Sequence, residues 1–430
     1  MSESKFKAIY GTRDILPDDA PVWRKVISTV DLLASNANYG FIHPPVFEMT
    51  ELFARGIGET SDIVSKEMYT FRDQGDRSLT LRPEGTASVV RAYLEHSLGG
   101  KEGLVKVWYA GPMFRQERPQ AGRLRQFYQF GVEAIGSIDP ALDAEVIDLN
   151  YRIMTELGLG DLKIYMNSIG MPEDRQAHRR AFVEFVSPNL AKFCADCQKR
   201  FATNPLRMFD CKEPTCRRLL EGAPVVLEYL SSENKDHFDR VLGYLESLAV
   251  PFEVDARLVR GLDYYTRTAW EIKSAKLGAQ DSLSGGGRYD RLVEQLGGPP
   301  TPAIGFAAGM ERIIMAIPEK ISNNVSKRPG IFIVTAGEKY KLEAVKLAAR
   351  IRKLGLAADI DYLGKSLKGQ MKQADKSRFA HAVILADEEM GRGKIVVRNL
   401  ANSEQSEVEL DRIHAVQNAD QLGEVFGREG

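Results

Sequence analysis

At 430 residues the chain has room for about three domains of ~150 residues each and can bury a sizeable core without covalent staples. Hydrophobic residues at 43%, charged residues at 27%, and ordinary numbers of Gly and Pro exclude disordered, collagenous and low-complexity classes. A mean hydropathy of −0.27, with no apolar run near the ~18 residues a spanning helix needs, argues against a membrane-spanning helix. The 58 Lys plus Arg balance 59 Asp plus Glu, so a surface for a polyanion has to be local. The opening Met1 to Lys5 carries Glu3 and no apolar stretch, and no secretory signal is expected.

In chain order, the first strongly patterned elements are the Tyr-, Val- and Phe-rich runs Val105 to Arg115 and Arg125 to Ile135, separated by Gln116 to Leu124. Their proportions predict a hairpin in an antiparallel sheet. Further strands are expected at Leu162 to Ser168, Phe252 to Val259 and Tyr264 to Ile272. Residues 172–248 carry a helical pattern and read as an insertion, leaving 1–171 and 249–320 as one sheet domain. Pro, Ser, Asn and scattered charge without apolar period follow in 317–329, and a linker is expected at 321–329. Residues 330–430 start afresh: a strand at Ile331 to Thr335, a helix over 339–354, then strands at Ala357 to Asp361, Ala382 to Ala386 and Lys394 to Val397. This alternation predicts a small α/β domain with a parallel or mixed sheet.

The polar segments that could carry chemistry lie mostly in the first 320 residues. In LRPEGTA, Leu81 to Ala87, Pro83 and Gly85 force a tight turn around Glu84 before a helical run, where the acid could be a capping charge. On the hairpin, Arg115 and Glu117 are two apart and expected on one face; Gln129, Gly131 and Glu133 share a face of the returning strand. Arg118, Arg123 and Arg125 sit between the arms. Guanidiniums beside carboxylates on a rigid hairpin suit an anionic, hydrogen-bonding ligand, because Arg offers phosphate or carboxylate a planar fork; an exposed ion-pair ladder would look the same. In LVRGLDYYTRTAWEI, Gly261 separates Arg260 from Tyr264 and Tyr265, which on a strand would point to opposite faces. In SGGGRYDRL, Ser284 to Leu292, three glycines allow close backbone approach to a ligand or form a strand-end turn. In AIGFAAGMERI, Ala303 to Ile313, small residues precede Arg312 on a helix. No Walker loop and no dinucleotide-binding glycine fingerprint occurs.

Only four cysteines are present, Cys194, Cys197, Cys211 and Cys216, gathered in one stretch as suits a reducing cytoplasm. Their spacing could close a structural, non-catalytic Zn2+ site, but intracellular free Cys also packs as a small apolar residue, and that plainer reading is preferred. Lys368, Lys372 and Lys376 recur every four residues and give one helical face a positive stripe, as a solvated surface or a nucleic-acid surface would. The six histidines lack metal-ligand or nucleophile spacing and read as structural.

Taken together, GTRDILP (Gly11 to Pro17), PPVFE (Pro44 to Glu48), the Leu52 to Phe71 segment, LRPEGTA, FRQERPQAGRLRQF, RGLDYY, SGGGRYD and GFAAGMER resemble the bacterial histidyl-tRNA synthetases, a family of class II aminoacyl-tRNA synthetases. The likeness spans nearly the whole chain; RGLDYY and SGGGRYD are specific to the family and the arginine hairpin only to the class. The resemblance implies an α+β fold: a class II antiparallel sheet core with a helical insertion and a C-terminal α/β anticodon-binding domain. It implies a homodimer built partly through Pro44 to Phe71, tRNA(His), histidine and ATP as partners, and Mg2+ with the ATP. Arg115 would hold the α-phosphate and the histidine carboxylate, Arg260 the α-phosphate from the other side, Glu117 the adenine amino group and Arg123 the γ-phosphate, with Phe127 and Arg312 sandwiching the adenine. Glu84, Thr86, Gln129, Glu133, Tyr264 and Tyr265 would line the histidine pocket, and Arg118, Gln120, Lys368, Lys372 and Lys376 would face tRNA. The rival is a silent paralogue that binds histidine and regulates another enzyme, like the regulatory subunit of ATP phosphoribosyltransferase. Such paralogues lose the nucleotide-binding arginines and the C-terminal domain, whereas this chain retains Arg115, Arg123, Arg260, Arg312 and residues 330–430.

Overall fold

A computed structural model describes residues 6–58, 61, 63–100, 103–325 and 328–426. Met1 to Lys5, and Glu59, Thr60 and Asp62 of the Leu52 to Phe71 segment, lie outside the described residues. Two compact units divide after Pro318.

Among the described residues of the first unit, eleven strands follow in order: β1 (Gly40–Phe41), β2 (Phe47–Met49), β3 (Tyr69–Arg72), β4 (Ser78–Leu81), β5 (Val105–Phe114), β6 (Gln126–Ile135), β7 (Leu162–Ser168), β8 (Glu253–Val254), β9 (Thr266–Ser274), β10 (Ser282–Arg288) and β11 (Ala303–Gly309). Eight of them form one sheet in the order β1-β5-β6-β11-β10-β9-β7-β8. The six central strands are antiparallel, and the two-residue strands β1 and β8 pair in parallel at the edges. The expected hairpin is β5 and β6, and both runs were placed within a residue.

Side-chain alternation gives the sheet two unlike faces. One cross-strand row, Trp108, Val132, Phe306, Gly286, Trp270, Met166, is large and apolar. It packs towards the helix Pro140–Glu156, whose Asn150 accepts hydrogen bonds from Trp270 Nε1 at 3.1 Å and Ser284 Oγ at 2.8 Å. The next row, Tyr109, Gly131, Ala307, Gly285, Glu271, is mostly small. A sheet face floored by Gly and Ala leaves space above it, and that space is the candidate site.

Between β7 and β8 the chain is helical, with helices at Pro172–Val186, Ala195–Thr203, Pro214–Leu219 and Ser232–Ser247. The last is tied to the sheet by His237, whose Nε2 lies 2.7 Å from Asp143, a buried carboxylate that also accepts from Thr268 Oγ1 at 2.7 Å and forms an ion pair with Arg288, whose Nε is 3.1 Å away. The strand expected at Phe252 to Val259 is only two residues long. Asp255 turns the backbone, accepting from the amide of Arg257 through Oδ1, and the Asn167 side chain donates to the carbonyls of Ala256 and Leu258. β2, β4 and β3 form a separate small sheet that exposes Phe47, Met49 and Phe71.

The second unit begins with the helix Glu319–Val325. The stretch expected to be an irregular linker is therefore helical where it is described, apart from Arg328 onward, which opens a strand; residues 326–327 lie outside the described residues. Its sheet runs β13 (Ala357–Ile360), β12 (Arg328–Thr335), β14 (Phe379–Leu385), β15 (Lys394–Asn399), β16 (Gln405–Glu409). The first three are mutually parallel and the last two antiparallel, so the sheet is mixed. β12 is buried on both faces: Ile331 and Ile333 pack with Leu347 and Ile351 of the helix Lys341–Lys353, while Phe332 and Val334 pack with Ala374 of the helix Leu367–Lys376. Among the described residues no helix is long and apolar enough to cross a membrane.

Candidate active site

A cavity of about 990 Å³ opens above the small-residue face. Segments far apart in sequence line it: Glu84 and Thr86, the hairpin from Arg115 to Gln129, Arg257 to Tyr265, the start of β10, and Glu311 with Arg312. The three glycines are strand residues, not a turn. A Cβ on Gly285 would fall on the Arg260 guanidinium, and one on Gly287 would meet the Tyr265 ring at 2.7 Å, so their lack of side chains is what lets these two groups lie on the sheet.

One group of side chains is polar and buried. Glu84 caps the helix Thr86–Glu95, accepting from the amides of Thr86 at 2.7 Å and Ala87 at 2.9 Å, so the capping reading of this acid is correct while its carboxylate also faces the cavity. Burial raises its pKa, against the pull of those amides and of Arg115. Gln129 Oε1 is buried without a hydrogen-bond partner. Tyr264 and Tyr265 precede β9 in a turn and do not diverge as strand neighbours would: their rings lie 4.7 Å apart, both line the cavity, and Tyr264 packs edge-on to Tyr289 at 5.8 Å. Glu133, expected in the same pocket, sits behind its wall instead. It accepts from Thr86 Oγ1 at 2.7 Å and Tyr289 OH at 2.5 Å, with Tyr109 OH at 3.4 Å, and it is wholly buried. Burial lifts its pKa to about 8, against the pull of the Tyr289 and Thr86 hydroxyls.

A second group is cationic. β5 ends at Phe114, so Arg115 and Glu117 leave the strand and stand over the cavity together. Arg115 is fixed by Nε donating to the Pro83 carbonyl at 2.9 Å, and its guanidinium lies 5.3 Å from the Phe127 ring centre. Glu117 lies 3.6 Å from Arg115 and 3.3 Å from Arg123. Arg312 donates to the carbonyls of Gly122 at 3.2 Å and Ser282 at 2.9 Å, which places it beside the hairpin tip. Across the floor, Arg260 lies 5.4 Å over Tyr265 and 3.9 Å from Glu271, with its Nε buried and unpartnered. Burial opposes its charge, and Tyr265 and Glu271 more than offset that.

Arg118 and Gln120 do not line this cavity; both are exposed on the hairpin loop, where Gln120 and Arg123 pair through their backbones. Lys368, Lys372 and Lys376 belong to the second unit and are exposed on a helix whose Gln370 and Ala374 face inward. Sequence reasoning missed Tyr109, which serves Glu133 from behind the wall, and the lining residues Tyr289, Glu271, Glu311 and, from the insertion, Arg200, Arg207, Lys212 and Arg217. Glu311 accepts from the Tyr128 amide at 3.0 Å, and burial lifts its pKa to about 7. Its place beside Arg312 in a small-residue motif was the only signal available.

Comparison with known proteins agrees with this arrangement. The histidyl-tRNA synthetase family model matches residues 11–313, and an anticodon binding domain model matches 330–418. The histidine–tRNA ligase of Moorella thermoacetica is 52% identical over 403 residues, covering 93% of this chain and 95% of that one. That of Desulforamulus reducens is 50% identical over 401 residues, 93% and 96% of the two chains. The crystal structure of apo S. aureus histidyl-tRNA synthetase superimposes with a TM-score of 0.78 at 41% identity, covering 95% of this chain and 98% of that one. With residues 11–313 and 330–418 matched by the two family models, and relatives about half identical over nearly the whole length, the chain belongs to the histidyl-tRNA synthetase family.

Proposed function

We propose that the chain joins histidine to tRNA(His) using ATP, through a histidyl-adenylate formed in this cavity. The observation that carries the reading is the convergence of Arg115 and Arg260 on one cavity that also presents Glu84, Gln129 and Tyr264. In the first step the histidine carboxylate attacks the α-phosphorus in line and pyrophosphate departs. No base is required, because the nucleophile is already ionised, so the protein's task is positioning and charge neutralisation. Arg115 and Arg260, held from two sides of the floor, suit the α-phosphate; Arg123 suits the outer phosphates, and Glu117 the adenine amino group between Phe127 and Arg312. Mg2+ accompanies ATP in this family's chemistry and neutralises phosphate charge. Glu271, whose ion pairs to Arg260 and Lys273 are long at 3.9 and 3.5 Å, is a carboxylate on the wall that would hold it.

Specificity follows from the acceptors that line the pocket. Each Glu84 oxygen keeps a lone pair beyond its bond to a backbone amide, and Gln129 Oε1 has no partner. These acceptors with the Tyr264 hydroxyl suit the imidazole and ammonium N–H groups of histidine. A ligand lacking them would leave buried polar atoms unmatched, which supports discrimination of about 10⁴ without editing. Glu133 supports the pocket from behind by orienting Thr86 and Tyr289. In the second unit, the exposed lysine stripe suits tRNA phosphates, with Arg118 and Gln120 as acceptor-end contacts. A homodimer through the small sheet accounts for the exposure of Phe47, Met49 and Phe71, and four unoxidised cysteines side by side suit a reducing cytoplasm.

The test is histidine-dependent exchange of labelled pyrophosphate into ATP. Robust exchange is expected; tight histidine binding with no exchange would favour the regulatory paralogue instead.

A further inference from the structure

The insertion holds a feature that the amino-acid activation chemistry does not use. Cys194 and Cys197 stand at the start of the helix Ala195–Thr203, Cys211 follows it in the connecting segment, and Cys216 lies in the helix Pro214–Leu219, yet their sulfurs all lie within 4.8 Å of one another. The Cys194 and Cys211 sulfurs are 3.8 Å apart, which is the edge of a tetrahedron whose centre-to-sulfur distance is the ~2.3 Å of a zinc–thiolate bond. Two sulfurs also accept backbone amides: Cys194 Sγ from Cys197 N at 3.5 Å and Cys216 Sγ from Cys194 N at 3.3 Å. Such N–H bonds orient thiolates and spread their negative charge. Cys197, Cys211 and Cys216 are buried and Cys194 is half-buried, so an ion here would be closed off by protein, as structural zinc sites are.

The surrounding segment has little else to hold it. Its helices Ala195–Thr203 and Pro214–Leu219 have 9 and 6 residues, below the ~12–15 at which a helix is even marginal alone. Among the described residues, its fully buried cluster apart from three of the cysteines is Phe182, Val186, Phe193, Met208, Leu220 and Ala223, with partly buried side chains such as Phe201 and Phe209 packed against it. Cores this small commonly need a metal or a disulfide. We propose that Cys194, Cys197, Cys211 and Cys216 form a tetrathiolate Zn2+ site, and that this ion holds the 193–222 segment in its folded form. The consequence reaches the cavity, because Arg200, Arg207, Lys212 and Arg217 on its wall all lie within six residues of a ligand. Arg217 Nε donates to the Cys211 carbonyl at 3.2 Å, and Arg200 donates to the Arg207 carbonyl at 3.2 Å, so the ion would fix where these charges stand.

The test is metal analysis of the full chain purified under reducing conditions with Zn2+ in the growth medium. About one equivalent of zinc per chain is expected, lost in the Cys197→Ser/Cys211→Ser double variant. Stripping the wild type with a mercurial, removing the mercurial with excess dithiothreitol followed by desalting, and adding Co2+ should give the intense near-ultraviolet thiolate-to-metal charge-transfer band of a tetrathiolate site, a readout that stands even where the double variant fails to fold. Metal-free protein should be cleaved by trypsin within 193–222 and protected when Zn2+ returns. Wild type free of metal, with four thiols open to a thiol reagent or paired as disulfides, would overturn the site. Equal trypsin resistance with and without the ion would overturn its structural role. None of these measurements depends on the catalytic reading.

Discussion

Substituting Gly285 tests the role of Arg260 without removing any charge. Gly285 sits mid-strand opposite Ala307 and Glu271, and an alanine Cβ there would land on Cζ and both terminal nitrogens of Arg260, well inside contact distance. The obstacle is the far end of a flexible side chain, so the guanidinium should give way and the sheet should not; restoring a contact of ~3.5 Å needs a shift of roughly 1 Å. A displacement of that size in a positioned catalytic group costs about 10²-fold in rate, or ~2.7 kcal/mol of barrier. Alanine in a strand also loses less chain entropy on folding than glycine, so stability should hold or rise slightly. Gly286→Ala is the contrasting case: its Cβ would strike the Trp270 ring and the Gly305 carbonyl oxygen, part of the neighbouring strand's backbone, and overpacking of this kind costs ~1–3 kcal/mol. Pyrophosphate exchange and the urea midpoint, measured on both variants, separate the two effects. Gly285→Ala should lose exchange and keep its midpoint, whereas Gly286→Ala should lose midpoint first. Exchange by Gly285→Ala within about threefold of wild type would refute the claim that the position of Arg260 matters to the reaction.

Arg260→Ala, which removes the charge altogether, should lower exchange by about 10²–10⁴-fold while the protein stays folded; near-normal exchange, with circular dichroism unchanged, would count against its role. Glu133 holds a proton in the fold up to about pH 8, against a usual value of 4.5. Between these values the folded chain binds more protons than the unfolded one, so this group's contribution to stability falls as pH rises, by at most ~1.4 kcal/mol per pH unit. The urea midpoint of Glu133→Gln should therefore decline less from pH 5 to 8 than that of wild type, and parallel curves would show that Glu133 ionises normally. A chain ending at Pro318 should retain exchange and lose most tRNA charging, because its sheet, cavity and cationic groups all belong to the first unit; equal loss of both activities would contradict separable units.

What the sequence made legible depended on how local each feature is. The hairpin was readable because ten-residue arms of β-branched and aromatic residues carry their own signal. In the C-terminal unit, apolar strands and a periodic helix alternate at short range, and they fell within a few residues of their places. The Gly-rich β10 and the Ala- and Gly-rich β11 were not recognised as strands, since glycine has low strand propensity and only the packing of Arg260, Trp270 and Tyr265 from elsewhere makes a bare strand favourable. Tyr264 and Tyr265 were assigned a strand's alternation when a turn, not β9, sets their direction.

The misplacement of Glu133 has the same cause at longer range. The alternation on β6 correctly grouped Gln129, Gly131 and Glu133 on one face, but a face says nothing of depth. Register does not supply the depth either, since Glu133 lies opposite Val107 and Gly305 and Gln129 opposite Gly111 and Gly309, each a few residues from a strand end; what packs over each residue decides it. Tyr109 and Tyr289 then close over it from positions 24 and 156 residues away, contacts that no pattern in the linear text encodes. A pocket for a small polar ligand needs both kinds of acid: one at the surface with lone pairs to offer and one behind it holding the neighbouring hydroxyls in place. Replacing the buried member should therefore disturb the geometry of Thr86 and Tyr289 before it disturbs any direct contact, raising the histidine KM of Glu133→Gln while its ATP KM stays near wild type. A selective rise in ATP KM would place Glu133 with the phosphates instead.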